Sequence, residues 1–260
     1  STRGRLAFTT DEQPIVAQIW GTNPEHFKHM GLELAKMGYA GIDINMGCPV
    51  KDVTKTGACS ALIETPKLAA ELIASAKASG LPVSVKTRIG FRTRKTEEWL
   101  SFLLRQDIAA LTVHARTAKE MSKVPAHWEE FSVARKLRDT IAPSTKIIGN
   151  GDIKDHKHGE QLATEHKLDG IMIGRGVFTN PYCFEKQPSA RTREELLDLL
   201  HFHLDMFDEA SETELRKYDP LKRFYKVYIR NFDGASELRD KLIHTRNTDE
   251  ARVLLNDIPC

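Results

Sequence analysis

The chain has 260 residues, of which 40% are hydrophobic and 28% charged, and its formal net charge is +2. This length suits one large domain or a large domain with a small appendage, and the composition is that of an ordinary globular protein. No apolar run approaches the ~20 residues that cross a bilayer, and the N-terminus lacks the apolar core of a signal peptide, so we expect a cytoplasmic protein without membrane contact.

The four cysteines argue against both a zinc site and a disulfide scaffold. They are Cys48, Cys59, Cys183 and Cys260, and no two of them form a C-x-x-C pair. No histidine cluster has metal-ligand spacing, so we expect no bound metal and a reducing compartment.

Short β-rich runs alternate with helical patterns over the first 180 residues. The predicted strands are 15–20, 41–45, 83–88, 110–114, 146–149 and 170–173. Asn23-Pro24 and Thr65-Pro66 mark two helix starts, and Thr96 followed by two glutamates predicts a capped third start. Such alternation is typical of a parallel sheet covered by helices.

The number of strands leaves two architectures open. Six strands fit an open doubly wound sheet, whereas a (β/α)8 barrel needs eight. No strand is predicted before residue 15. If the fold is a barrel, its first two strands are therefore absent from the chain.

The strand signal stops near residue 191. Leu196, Leu200, Leu204 and Phe207 then recur at helical spacing, and further helical segments follow after Pro220 and after Gly234. We therefore predict a sheet domain over residues 1–186 and a small helical domain over 187–260.

Polar side chains cluster where five predicted strands end. They are Asn45 and Cys48, Lys86 and Arg88, His114 and Arg116, Asn150 and Asp152, and Arg175. In a parallel α/β fold these ends share one face, so the groups are expected to build one polar pocket. The last two ends are glycine-containing turns before helices, a pattern that favours binding of an anion such as phosphate.

Five motifs resemble, in order, those of the tRNA-dihydrouridine synthases. They are DINMGCP at 43–49, VSVKTRIG at 83–90, TVHART at 112–117, GNGDI at 149–153 and MIGRG at 172–176. The resemblance runs from residue 14 to about 256. It implies an α/β fold, an FMN-binding (β/α)8 TIM barrel, followed by a helical domain that holds tRNA. The family usually opens with an Ala-Pro-Met strand and a second strand, and neither is in this sequence.

The resemblance also implies a reaction and a set of roles. NADPH reduces FMN, and the C5–C6 double bond of a tRNA uridine is reduced to 5,6-dihydrouridine, with Cys48 as the acid. Asn45 is expected to orient the uracil, and Arg116 to lie in the substrate pocket. The implied contacts of the flavin ring and its phosphate are Gln18, Lys86, His114, Asn150, Gly151, Asp152, Gly174 and Arg175.

A basic segment in the C-terminal quarter is the candidate tRNA surface. Lys222, Lys226 and Arg230 recur every four residues, which would place them on one helix face, and Tyr218, Tyr225 and Tyr228 are interleaved. Phosphate contacts position RNA and aromatic rings stack on bases. The alternative is a solvated basic face with the tyrosines in the core.

We expect the protein to be a monomer.

Two alternative functions and an alternative catalytic thiol remain to be considered. The first alternative function is an FMN barrel reductase for a free pyrimidine, similar to dihydroorotate dehydrogenase, and the second is an inactive RNA-binding module. Cys59 is the rival thiol, but the small residues around it favour a buried structural cysteine.

Overall fold

The computed structural model describes residues 6–187, 189–213 and 216–257, so Cys260 lies outside the described residues. The chain forms two compact units, Ser1–Gly174 and Arg175–Cys260. The domain boundary at residue 186, inferred from the sequence, stays a prediction.

The first unit contains a six-stranded parallel sheet. Its strands are β1 Val16–Ile19, β2 Gly41–Met46, β3 Val83–Arg88, β4 Ala110–His114, β5 Lys146–Asn150 and β6 Gly170–Met172. The spatial order follows the chain from β1 to β6, without the reversal of order that defines a doubly wound sheet. The six predicted strands are confirmed, and their order is that of a TIM barrel; closure of the barrel stays a prediction.

Helices alternate with the strands. They are α1 Pro24–Lys36, α2 Lys51–Thr54, α3 Pro66–Lys77, α4 Thr96–Leu104, α5 Phe131–Ile141 and α6 His156–His166. The predicted start of α1 is confirmed, because Asn23 Oδ1 accepts hydrogen bonds from the backbone N–H groups of Glu25 (2.9 Å) and His26 (3.4 Å).

The prediction that Thr96 caps α4 is wrong. The residue in the N-cap position is Lys95, which makes no side-chain cap bond, and Thr96 is already helical. Thr96 is buried, and its Oγ1 has no hydrogen-bond partner in the part of the chain that the structure describes. The packing of this turn against the core therefore overrides the local capping preference.

The two faces of the sheet differ in polarity. Side chains alternate between faces along a strand, and residues paired in register share a face. One face carries Ile42, Ile44, Val85, Leu111 and Val113, all at most 1% exposed within the main hydrophobic core. The opposite face carries the paired polar residues Gln18 and Asp43, Asn45 and Lys86, and Arg88, His114 and Asn150. The candidate site is therefore built on the polar face.

The second unit is helical over its described residues. Its helices are α7 Arg193–Thr213, α8 Asp219–Lys222, α9 Tyr225–Tyr228, α10 Ala235–Ile243 and α11 Thr248–Asn256. Leu200 and Leu204 are fully buried in its core, which confirms the amphipathic pattern of α7.

The prediction of a single helix between Pro220 and Gly234 is wrong. The chain forms the two four-residue helices α8 and α9, and Ile229 ends α9 with an extended backbone. Val227, Tyr228 and Ile229 are consecutive and all buried. A continuous amphipathic helix has a single buried stripe and cannot bury three successive side chains.

Within the described residues, every helix is too short or too polar to cross a bilayer. The same part of the chain contains no group of three or more His, Cys, Asp or Glu side chains arranged to hold a metal ion.

Candidate active site

The tip of β2, which we define as residues 47–49, carries Cys48 and is held by the side chains of Asn45 and Ser60. Asn45 Oδ1 accepts hydrogen bonds from the backbone N–H groups of Gly47 and Cys48, each at 3.0 Å. Ser60 Oγ donates to the Cys48 carbonyl oxygen at 2.8 Å. The thiol, which is partly exposed, is therefore presented by a rigid backbone.

A chain of hydrogen bonds runs along the polar face to this tip. Asp43 accepts from Ser84 Oγ at 2.6 Å and from Gln18 Nε2 at 2.7 Å. Asn45 Nδ2 in turn donates to Gln18 Oε1 at 3.1 Å. Because the Asp43 carboxylate can only accept, Gln18 turns its Nε2 toward Asp43 and its Oε1 toward Asn45.

Arg88 links the tip to a neighbouring loop. Its Nε donates to the Gly47 carbonyl oxygen at 2.7 Å, and its Nη1 donates to the carbonyl oxygens of Thr117 and Met121, both at 3.0 Å. Burial lowers the pKa of Arg88 to about 10, and the Arg116 guanidinium adds to this shift. Arg88 remains charged at neutral pH and cross-links the loops after β2 and β4.

Lys86 and His114 occupy the centre of the polar face. Burial lowers the pKa of Lys86 and Arg88 lowers it further, whereas Asp43 and Cys48 act in the opposite direction. No hydrogen bond or salt bridge of Lys86 is found within the described residues. Burial lowers the pKa of His114 to about 3, and the cations Arg88, Lys86 and Arg116 contribute. The site thus holds a cation without a bonded partner beside a neutral imidazole.

Cys59 lies against Cys48. It is 1% exposed and adopts a left-handed backbone conformation with φ 55°. Burial raises the pKa of Cys59 to about 12, and electrostatic repulsion from the neighbouring Cys48 adds to the shift. The expectation of a buried cysteine is confirmed, and its thiol stays protonated at neutral pH.

The predicted phosphate-binding residues lie at the ends of β5 and β6 or just beyond them. Asn150 Nδ2 donates to the Met172 carbonyl oxygen at 2.7 Å and so joins the two strands. Gly151 has φ 132°, and a Cβ there would lie 2.8 Å from Ala126 Cβ, so only glycine fits. A Cβ on Gly174 would have no heavy atom within 4 Å, and Arg175 opens the second unit.

The three predicted tRNA-binding residues differ in exposure and pairing. Lys222 is paired with Asp219 at 2.8 Å, and its side chain is only 18% exposed. Lys226 is exposed, whereas Arg230 is half-buried and its Nε has no hydrogen-bond partner among the described residues. Tyr225 and Tyr228 are 1% and 8% exposed. The tyrosines therefore belong to the core, which was the alternative interpretation of this segment.

Sequence reasoning missed Asp43 and Ser84, and it placed Arg88 in the polar pocket without giving it a role. The signal was present as alternation with a period of two, in D-x-N over 43–45 and S-x-K-x-R over 84–88. Such alternation places the polar residues of one strand on the same face.

Comparison with known proteins identifies the family of the chain. The family model described as dihydrouridine synthase (Dus) matches residues 1–259. The chain belongs to the dihydrouridine synthase family. This membership confirms the resemblance drawn from the five motifs.

Relatives of the same family cover nearly the whole chain. The "Probable tRNA-dihydrouridine synthase 2" of Bacillus subtilis (strain 168) is 56% identical over 258 residues, which are 99% of this chain and 79% of the relative. The "Probable tRNA-dihydrouridine synthase" of Staphylococcus aureus (strain COL) is 53% identical with the same coverage. The protein of that name in Staphylococcus epidermidis (strain ATCC 12228) is 52% identical over 257 residues, 98% of this chain and 79% of the relative.

Proposed function

We propose that this dihydrouridine synthase reduces the C5–C6 double bond of uridines in tRNA to 5,6-dihydrouridine. The family match and the names of the relatives support this function over reduction of a free pyrimidine. The structural observation that carries the proposal is the Cys48 thiol, held by Asn45 and Ser60 beside the polar face. Because the relatives are bacterial proteins named for a tRNA activity, the cytoplasm is the proposed place of action.

The residues present fit an FMN cofactor. Lys86 is a largely buried cation without a bonded partner in the described residues, and such a cation suits an electron-rich ring edge. At Gly151, the space for a side chain is already filled by Ala126, so this predicted phosphate-binding position requires glycine. Bound FMN, reduced by NADPH, would supply the hydride that adds to C6 of the uracil.

Cys48, Lys86 and Asn45 have separate roles in the proposed reaction: proton donation, contact with the flavin and positioning of the thiol. A thiol can act as a general acid, so Cys48 can donate the proton that C5 requires. Lys86 would hold the electron-rich edge of the bound flavin ring with its positive charge. Asn45 keeps the thiol at a constant position, because both of its bonds to the tip are made before substrate arrives.

The experiment compares the two adjacent thiols. Cys48→Ala should retain anaerobic reduction of the bound flavin by NADPH but lose dihydrouridine formation in a tRNA transcript, measured by mass spectrometry. Cys59→Ala is the matched control and should keep both reactions, since Cys59 is 1% exposed. Loss of dihydrouridine in Cys59→Ala with full activity in Cys48→Ala would show that the acid is misassigned, and a protein that binds no flavin would reject the oxidoreductase function.

The tRNA surface is tested best at Lys226, the exposed member of the three basic residues. Lys226→Glu should weaken tRNA binding and reduce the dependence of affinity on salt, because it removes a phosphate contact. Lys241→Glu makes the same change in net charge at another exposed lysine of the second unit. Equal tRNA affinities and salt slopes in Lys226→Glu and Lys241→Glu would show that the basic segment around Lys226 is not the tRNA surface.

A further inference from the structure

Arg116 is almost completely buried, although the resemblance placed it in the substrate pocket. Its side chain is 2% exposed. Nε donates to the Val124 carbonyl oxygen at 2.6 Å, Nη2 donates to Asp152 Oδ2, and Nη1 lies 3.1 Å from His114 Nε2. Each nitrogen of the guanidinium therefore has a partner within the protein.

The contact between Arg116 and His114 allows only one arrangement of protons. A guanidinium has N–H donors and no acceptor, so Nε2 of His114 must accept the hydrogen bond with its lone pair. An imidazole whose Nε2 accepts is neutral and carries its proton on Nδ1. Within the described residues, His114 Nδ1 makes no hydrogen bond.

The charges around His114 act in the same direction. Lys86 and Arg88 face it from β3, Arg116 from the loop after β4, and Asp152 from the loop after β5. Burial lowers the pKa of His114 to about 3, and the three cations, opposed by one carboxylate, add to this effect. The imidazole stays neutral over the whole range in which such an enzyme is assayed.

Further contacts fix the positions of the Arg116 guanidinium and the His114 ring. The Asp152 carboxylate that binds Arg116 also accepts from the Ala126 backbone N–H at 3.0 Å. A Cβ built on Gly151 would lie 3.3 Å from Cδ2 of the His114 ring, so the ring packs on bare backbone. The guanidinium and the ring are therefore fixed before any ligand binds.

We propose that Arg116 is a positioning residue that selects the Nδ1–H tautomer of His114, so that His114 presents a neutral N–H donor to an oxygen or nitrogen acceptor of the ligand on the polar face. Arg116 then acts on the reaction through His114 and does not contact the substrate. The effect on activity rests on the proposed function, whereas the tautomer itself is a property of the protein alone.

The test is ¹⁵N NMR of histidine-labelled full-length protein, with the His114 signal assigned from its loss in His114→Gln. In the wild type, Nε2 should be unprotonated, Nδ1 should carry the proton, and neither signal should titrate between pH 5 and pH 8. A proton on Nε2, or a titration inside this range, would overturn the proposal without any variant.

Two variants separate positioning from a purely structural role. Arg116→Met removes the donor to Nε2, so ¹⁵N NMR should show a substantial fraction of the Nε2–H tautomer of His114, and kcat on tRNA should fall while tRNA affinity is unchanged. Arg116→Lys keeps the charge and one donor, so it should restore the Nδ1–H tautomer. The proposal is rejected if Arg116→Met folds and keeps the wild-type tautomer and kcat.

The NMR experiment tests the role of Arg116, and the assay for dihydrouridine tests the proposed function, so either claim can be refuted without the other. A protein with the expected tautomer but no dihydrouridine product would refute the proposed function alone. Normal dihydrouridine formation with the opposite tautomer would refute only the role of Arg116.

Discussion

Replacement of Asn45 by aspartate should introduce one unfavourable contact into the hydrogen-bonded chain of the polar face. One oxygen of the introduced carboxylate could still accept from the N–H groups of Gly47 and Cys48, so the tip should keep its shape. The second oxygen, however, would face Gln18 Oε1, where Asn45 Nδ2 now donates at 3.1 Å. If the Gln18 amide flips, the same conflict moves to Asp43, which now accepts from Gln18 Nε2 at 2.7 Å.

Uptake of one proton resolves this conflict. Burial already raises the pKa of Asp43. A second carboxylate linked through Gln18 should raise it further, because two nearby carboxylates cannot both ionise without cost. The protonated carboxyl would donate where the ionised one could only accept. The bond from Asn45 Nδ2 to Gln18 Oε1 is exposed and the bond from Gln18 Nε2 to Asp43 is partly buried, so we expect Asn45→Asp to destabilise the protein by about 1 kcal/mol at pH 7.

The pH dependence has a defined sign. A carboxyl whose pKa is raised in the folded state binds more protons there than in the unfolded chain, so its penalty grows as pH rises above the unfolded value of about 3.9. The destabilisation by Asn45→Asp should therefore be small at pH 4.5 and full at pH 7. Urea unfolding followed by circular dichroism at both pH values measures it.

Asn23→Asp is the matched control for this prediction. Asn23 also accepts from two backbone N–H groups, at the N-terminus of α1, where aspartate caps as well as asparagine. The control should change stability by less than about 0.5 kcal/mol at either pH. An Asn45→Asp effect that is equal at pH 4.5 and pH 7, or a stabilisation at pH 7, would refute the reasoning.

Three further substitutions test other parts of the first unit by urea unfolding. Arg88→Met removes charge-assisted bonds to three carbonyl oxygens and should cost about 3 kcal/mol or more, so a cost below about 1 kcal/mol would contradict the cross-link. Because the pKa of His114 is lowered to about 3, its contribution is complete above pH 6.5 and declines toward pH 3, so wild type should lose about 2 kcal/mol more than His114→Asn between pH 6.5 and pH 4.5. Equal losses in both proteins would place the His114 pKa near its ordinary value. Trp99→Phe removes the buried bond from Nε1 to Thr87 Oγ1 (2.9 Å) and should cost about 1–2 kcal/mol, whereas an unchanged midpoint would show that this bond contributes nothing.

Several predictions that depend on neighbours along the chain were accurate. The bounds of β3 and β4 agree with the sequence prediction at every residue, and the Asn23-Pro24 start of α1 is confirmed. Strand periodicity and helix capping involve residues only a few positions apart, so they can be recognised in a short window. The polar ends of the strands were visible for the same reason.

The failures came where packing overrides a local preference. Thr96 has the sequence of a cap but lies buried inside the first turn of α4. Lys222 and Lys226 have helical spacing but lie in two separate short helices, because Val227, Tyr228 and Ile229 are all buried. A window of local sequence does not contain the residues that cover these positions.

By itself the sequence determined the six-strand pattern, the order of the motifs, the family and the candidate acid Cys48. Only the tertiary structure decided what each polar group bonds to. Arg88 meets the Gly47 carbonyl 41 positions away, and Arg116 meets Asp152 36 positions away. Those partners fix the sense of each hydrogen bond and the charge of His114, because burial and neighbouring charges set protonation and both depend on distance in space.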